Sequence, residues 1–557
     1  MPAPTRAAAT ILGLLLAGPL AAGIDAGSYL SARAALQAGD FATAAPYLTR
    51  TLADDPDNPD LLESTIIAQL GRGAFDAAVP AADHMLATGA RSARAAMVAT
   101  AAAVRAGAWD DILDALDAGR RISPLADALS RAWALAGAGD MQAALAAFDV
   151  MAAAPGMRAV ALQHKALALA LAGDFEGAGA ILSLPPGEGP VPTQSVIAMQ
   201  AQVLSQLGEG DAAITLLDRA LAQMDDPVLA DQRARLAAGE TLPFTGIRSA
   251  ADGMAEAWFT IAGALVNGGA DLDVLLNARL ALAMNPRHVG AQFLVAQILE
   301  RMEQYDAARI AYAAIPEGHP LRVAAELGEA DVLRRMDDSD AAITVLQGLL
   351  ADNPDLGPAV QRLGDALRAS GREAEAVAAY SRALDLAGAD SPGRWRILYA
   401  RAVTSFGLGD WDAAEADFRA AIALQPQEAS LLNYYGYSLV DRGEKLDEAL
   451  DLIERAVALE PRNGAYVDSL GWAWFRLGRF DDAVARLEQA ATLEATDAVV
   501  NDHLGDAYWM VGRLREARFQ WQRALSFGPD PDEADAIRRK LESGLALDPQ
   551  PEPGADG

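Results

Sequence analysis

The 557-residue chain has no cysteine, only three lysines and only five histidines. Without cysteine there is no disulfide, no thiol nucleophile and no acceptor for an N-terminal lipid anchor. The histidines, His84, His164, His288, His319 and His503, never fall in pairs on one helical turn, so neither a metal nor a cofactor is expected. No serine stands in a nucleophile elbow. Gly208-Glu209-Gly210 lacks the preceding strand and third glycine of a dinucleotide loop. His503 lies near Asp502 and Asp506, but an ordinary polar position on a helix outweighs a general base there. These absences point away from an enzyme. A basic surface is missing too: the net charge is −31, which excludes nucleic acid as a partner. Aromatic residues make up only 6% of the chain. Alanine abounds instead, and small, helix-favouring side chains suit closely packed helices better than sheets.

The first residues differ in kind from the rest. Arg6 precedes an apolar run, Ala7–Leu16, and then come Gly18-Pro19 and the small residues Ala21-Ala22-Gly23. This order predicts a cleavable signal peptide over 1–23, and the run is too short to span a bilayer comfortably. The expected location is periplasmic, with no lipoprotein anchor and no integral membrane span once the signal is removed. A poorly built first helix or an uncleaved anchor is the competing reading.

Glycine marks a period. Gly39, Gly73, Gly107, Gly139, Gly173 and Gly208 are 34, 34, 32, 34 and 35 residues apart, and Gly371, Gly409, Gly443, Gly478 and Gly512 follow at 38, 34, 35 and 34. Where glycine lapses, the spacing of 34 survives in Pro286, Pro320 and Pro354 and in Ala308, Ala342 and Ala376. Each unit reads as two helices. Glycine makes the turn between them. A small residue five positions on, such as Ala44, Ala144, Ala414, Ala483 or Ala517, lets the helices cross closely. A bulky one four further, such as Leu48, Phe148, Phe418 or Trp521, shares that face. Pro56, Pro124, Pro426, Pro461 and Pro529 are expected to end second helices.

This pattern resembles the tetratricopeptide repeat (TPR) over most of residues 27–530. The match is best in the last unit, where Gly505, Tyr508, Gly512, Ala517, Trp521, Ala524 and Pro529 take the signature places. The resemblance implies an all-α, right-handed solenoid of about fourteen helix-turn-helix units and a non-catalytic, protein- or peptide-binding role. Segments out of phase divide it: an N-terminal array over 24–226, a joint over 227–252 and a C-terminal array over 253–530. A capping helix over 531–547 and a disordered tail over 548–557 complete the expected order.

Residues 395–527 hold 18 of the 33 aromatic residues. By repeat position Trp411, Phe418, Trp474, Phe480 and Trp521 belong to the core. Tyr399, Tyr437, Trp472, Phe475 and Trp509 fall on the first-helix face that lines the concave side of TPR solenoids, with Asn433, Asp468, Asp502 and Asp506 beside them. Aromatic anchors in a polar surround suit a protein partner. The aspartates would favour apolar segments carrying Arg or Lys. The runs 433–439, 463–472 and 502–506 resemble the C-terminal repeats of exported proteobacterial TPR proteins, among them outer-membrane lipoprotein adaptors. That resemblance implies a scaffold or adaptor of the cell envelope, with an envelope protease or its substrates among the partners. A cytoplasmic TPR regulatory protein is the alternative.

Overall fold

The computed structural model describes residues 26–545. The expected signal peptide and the tail over 548–557 lie outside the described residues. Thirty α-helices and one short 3-10 turn, and no strand, make up the regular structure within them. Two compact units result, Met1–Asp338 and Ser339–Gly557.

Unit 1 begins with the pairs α1–α2 (Ala26–Gln37, Phe41–Asp54), α3–α4 (Pro59–Gly71, Phe75–Ala87) and α5–α6 (Ala93–Ala106, Trp109–Asp117). Then come α7–α8 (Pro124–Gly137, Met141–Ala152), α9–α10 (Arg158–Leu171, Phe175–Leu182) and α11–α12 (Gln194–Gln206, Gly210–Leu221). A single helix, α13 (Pro227–Ala237), precedes α14–α15 (Ala250–Leu265, Asp271–Met284), α16–α17 (Val289–Arg301, Tyr305–Ala313) and α18 (Arg322–Arg335). Unit 2 opens with α19 (Ser339–Asp352), α20–α21 (Gly357–Ala369, Glu373–Leu386) and α22–α23 (Arg394–Gly407, Trp411–Leu424). It continues with α24–α25 (Ala429–Arg442, Leu446–Leu459), α26–α27 (Gly464–Arg476, Phe480–Leu493) and α28–α29 (Ala498–Met510, Leu514–Ser526), and α30 (Pro531–Ser543) closes it.

Local chemistry sets these boundaries. Asp40, Asp140, Asp174 and Asp410 accept a backbone N–H three residues on and so cap second helices. Pro56, Pro426, Pro461 and Pro529 follow second helices as expected, whereas Pro124 opens α7, where its missing N–H is harmless. The turn glycines take positive φ, and the backbone keeps this turn where glycine lapses: after Gly269 (φ 73°), Glu303 (61°) and Asp337 (60°) hold it at intervals of 34 residues before Gly371 (75°) resumes. The repeat is therefore a property of the backbone even where its marker residue is gone. At the helix crossings Ala44, Ala144, Ala414, Ala483 and Ala517 are wholly buried. Gly505 meets the Trp521 ring so closely that a Cβ would lie 2.5 Å from it.

First helices also pack on the first helices of the next pair: α3 on α5 in unit 1, and α20 on α22, α24 on α26 and α26 on α28 in unit 2. Second helices pack mainly within their own pair and on the first helix that follows. The first helices thus take the shorter, inner arc.

In unit 1 that inner arc is filled by the chain itself. α14 packs on α7 and α9, and α15 on α3 and α5, with Trp133, Trp258, Met254 and Leu280 in one core. Residues 227–252 deliver the chain there and are not a joint between two halves. Their first part is α13, the last three residues open α14, and the stretch between is a strap bound to α11: Ser205 Oγ accepts from Leu242 N (2.9 Å), Gln206 Nε2 donates to the Leu242 carbonyl (2.6 Å), and Gln202 Oε1 accepts from Thr245 N (2.9 Å). Leu242 and Ile247 are buried. The division between compact units falls instead after Asp338. Loop-like composition suggested a joint because glycine and proline signal irregular backbone, and irregular backbone can be packed as firmly as helix when side chains satisfy it.

Candidate functional site

In unit 2 the first helices bring the sequence-selected residues into register. Tyr399, Asn433, Asp468 and Asp502 hold equivalent places on α22, α24, α26 and α28, at intervals of 34, 35 and 34. One turn on stand Tyr437, Trp472 and Asp506, and less than a turn further Phe475 and Trp509.

The centre of this face is a stack. Trp472 lies between Phe475 (ring centroids 4.6 Å apart, 7° between planes) and His503 (4.0 Å, 10°). His503 Nδ1 donates to Asp468 Oδ2 at 2.9 Å. Burial disfavours the charged imidazole, but Asp468, with Asp502 and Asp506 behind it, outweighs burial and raises its pKa. Upstream, Tyr399 meets Tyr434 edge to face at 5.8 Å. Burial, then Asp468, pushes the Tyr437 hydroxyl up to about 12, so it stays a neutral donor and acceptor. Asn433 and Asp468 are buried, and each keeps one side-chain oxygen, Oδ1, without a hydrogen-bond partner.

The far end of the face is taken by α30. Lys540 Nζ lies 2.7 Å from both Asp502 Oδ2 and Asp506 Oδ2, and Trp521 Nε1 donates to Asp506 Oδ1 at 2.9 Å. Burial and Asp502 push the Asp506 carboxyl up to about 6 against the pull of Lys540. A Cβ at Gly544 would collide with Trp509, Ile537 is buried in the terminal core, and Leu541 and Leu545 pack against that core. Arg518 holds the Leu541 carbonyl at 2.8 Å. Asp468 therefore bonds to His503, and Asp502 and Asp506 to Lys540, within this chain, whereas the sequence reading offered all three to a partner's Arg or Lys. Of the nine residues, Tyr399, Asn433, Tyr437, Asp468, Trp472 and Phe475 form one continuous face, whereas Asp502, Asp506 and Trp509 lie under the end of α30. Sequence reasoning missed Lys540, though a lysine is rare enough in this chain to have been a signal. It placed His503 as an ordinary polar residue, when the ring is stacked on Trp472 and hydrogen-bonded to Asp468 within the face.

With its ring stacked on Trp472 and its Nδ1 bonded to Asp468, His503 is positioned to hold neighbouring repeats together. Among the described residues no group of three His, Asp or Glu side chains is placed to hold a metal ion, and no helix is long and apolar enough to cross a membrane.

The family profile described as tetratricopeptide repeat matches residues 29–93, 327–392, 399–466 and 436–499, and these stretches of the chain carry tetratricopeptide repeats. Such a helical-pair scaffold serves to bind proteins. A TPR repeat-containing protein of Pseudomonas aeruginosa, PA4667, is 31% identical over 193 residues, 34% of this chain and 32% of that protein; the match spans about a third of the relative's length. Among solved structures, the APC/C hetero-tetramer Cut9-Hcn1 is 16% identical (TM-score 0.39), covering 93% of this chain and 96% of that one. The thermophilic TPR protein TTC0263 of Thermus thermophilus is 28% identical (TM-score 0.29), covering 34% and 100%.

Proposed function

We propose that the protein is a non-catalytic scaffold or adaptor of the bacterial cell envelope that holds an extended protein segment along the inner face of α22, α24 and α26. One observation carries the binding face: Asn433 and Asp468, at equivalent places on neighbouring helices, each bury an unpartnered acceptor oxygen beside the half-buried rings of Tyr437 and Trp472. Rings supply apolar area at low entropic cost, and buried acceptors select a partner that brings donors, such as backbone N–H groups or an Arg side chain. In unit 1 the corresponding arc is filled by α14 and α15, which directs an external segment to unit 2. Periplasmic placement, and an envelope protease or its substrates as partners, rest on the signal-like order of residues 1–23 and on the resemblance of the C-terminal repeats.

The test uses partners captured from an envelope extract and mapped to peptides. Replacing Tyr437 and Trp472 together by Ala should weaken a mapped peptide by about 2–4 kcal/mol with helicity retained. Unchanged affinity in a fully helical variant would place the partner elsewhere. Sequencing the mature N-terminus tests the location: a start near residue 23 means export, and an intact N-terminus removes the envelope reading.

A further inference from the structure

Unit 1 contains a guanidinium that electrostatics alone does not explain. Acidic residues outnumber basic ones by 76 to 45 in this chain, yet Arg279 of α15 is half-buried with no carboxylate acting on it. Among the described residues it has no ion pair, hydrogen bond or ring partner, and its Nε is fully buried and unpartnered. Burial alone acts on it, pulling its pKa down to about 10. The acids of its own helix and of the first turn of α4 pair with other arginines: Asp271 with Arg301 (2.5 Å), Asp273 with Arg94 (3.2 Å) and Asp76 with Arg105 (2.5 Å). A charge drawn partly out of water without a counter-charge is unfavourable.

The surroundings of Arg279 add positive potential. Its guanidinium lies against the turn between α3 and α4, so close to Gly73 that a Cβ there would lie 2.9 Å from Nη1. The carbonyls at the end of α3 do not serve it: Ala68, Gln69 and Leu70 accept from the N–H groups of Arg72, Ala74 and Gly73. On the other side α4 begins at Phe75, and its N-cap residue Ala74 has no side-chain acceptor to cap it, where α2, α8, α10 and α23 have an aspartate. An uncapped helix start presents backbone N–H groups and the positive end of the helix dipole. A planar fork of donors beside such a terminus matches one two-oxygen face of an anion.

We infer that the Gly73 turn, with Arg279 against it and the open start of α4 behind it, is a binding site for a single oxyanion, a carboxylate or phosphate group presented by a ligand. The site is separate from the binding face of unit 2 and does not depend on it.

The experiment compares the full chain in chloride, in inorganic phosphate and in acetate at matched ionic strength, following thermal unfolding and amide exchange at residues 73–77. Phosphate or acetate should raise the unfolding midpoint by a few degrees and slow exchange at the turn several-fold. The anion that acts identifies the source as a phosphorylated or a carboxylate-bearing ligand. Arg279→Met should lose the response while being at least as stable as the wild type in chloride, because it removes an uncompensated charge. Ala74→Asp, which supplies an internal cap and carboxylate, should also lose it while remaining folded, and so serves if Arg279→Met does not fold. An equal response in the wild type and either variant, or no response in the wild type, overturns the site.

Discussion

Trp472 of α26 lies flat on His503 of α28, ring centroids 4.0 Å apart, while the same imidazole donates to Asp468, one turn before Trp472. Two neighbouring repeats are thus joined through one ring that is simultaneously stacked and ion-paired. Stacked rings attract beyond their buried area, so this contact sets the orientation of the tryptophan any partner would meet.

The first prediction concerns pH. The pKa of His503 is raised above 6.5 on folding, so its contribution to stability is fully present below about 6.5 and is lost as pH rises through the higher folded value. Urea unfolding of the wild type and of the His503→Gln/Asp468→Asn double variant should show a stability difference that shrinks from about pH 6 upward. A difference independent of pH would mean that the imidazole is neutral in the folded chain.

Lys540 should act as a fastener for α30. Lys540→Met leaves Asp502 and Asp506 without their counter-charge and should cost about 2–4 kcal/mol, because breaking a buried pair exposes the penalty of the remaining charge. Adding Asp506→Asn should recover part of that loss. Hydrogen exchange resolved to residues 531–543 is the measurement: fast exchange in the single variant and partial recovery in the double one are expected.

Glu303 holds a left-handed turn (φ 61°) that glycines hold elsewhere in the repeat. A side chain in that conformation costs roughly 1 kcal/mol relative to glycine, less the entropy that glycine loses on folding. Glu303→Gly should therefore be neutral to stabilising by up to about 1 kcal/mol, measured by denaturant midpoint, whereas Glu303→Val should destabilise.

The strap after α13 should resist proteases. Leu242 is buried, its backbone N–H donates to Ser205 Oγ and its carbonyl accepts from Gln206 Nε2. Limited proteolysis should spare residues 239–249, and Leu242→Ala should cost about 2–4 kcal/mol and open the segment to cleavage. Early cutting there in the wild type would restore the idea of a loose joint.

Period and composition alone determined the class of fold. A turn every 34 residues, followed by alanine and then a bulky apolar residue, prescribes a helical pair that buries its stripe only against its neighbours, and local spacing is all this requires. The same spacing put Tyr399, Asn433, Tyr437, Asp468, Trp472 and Phe475 on one face, because register within a repeat follows from helical geometry. Only the tertiary structure decided where charges meet and which faces stay open. His503 bonds to Asp468 from the next repeat, Lys540 reaches Asp502 and Asp506 from beyond the last one, and α14 and α15 return to fill the inner arc of unit 1. Arg279 illustrates the limit: as a letter in the sequence it is one basic residue among 45, and what distinguishes it is the absence of any acid around it after folding. These relationships join residues distant in sequence through packing, where no local period carries a signal, so desolvation and counter-charge appear only once the chain has folded.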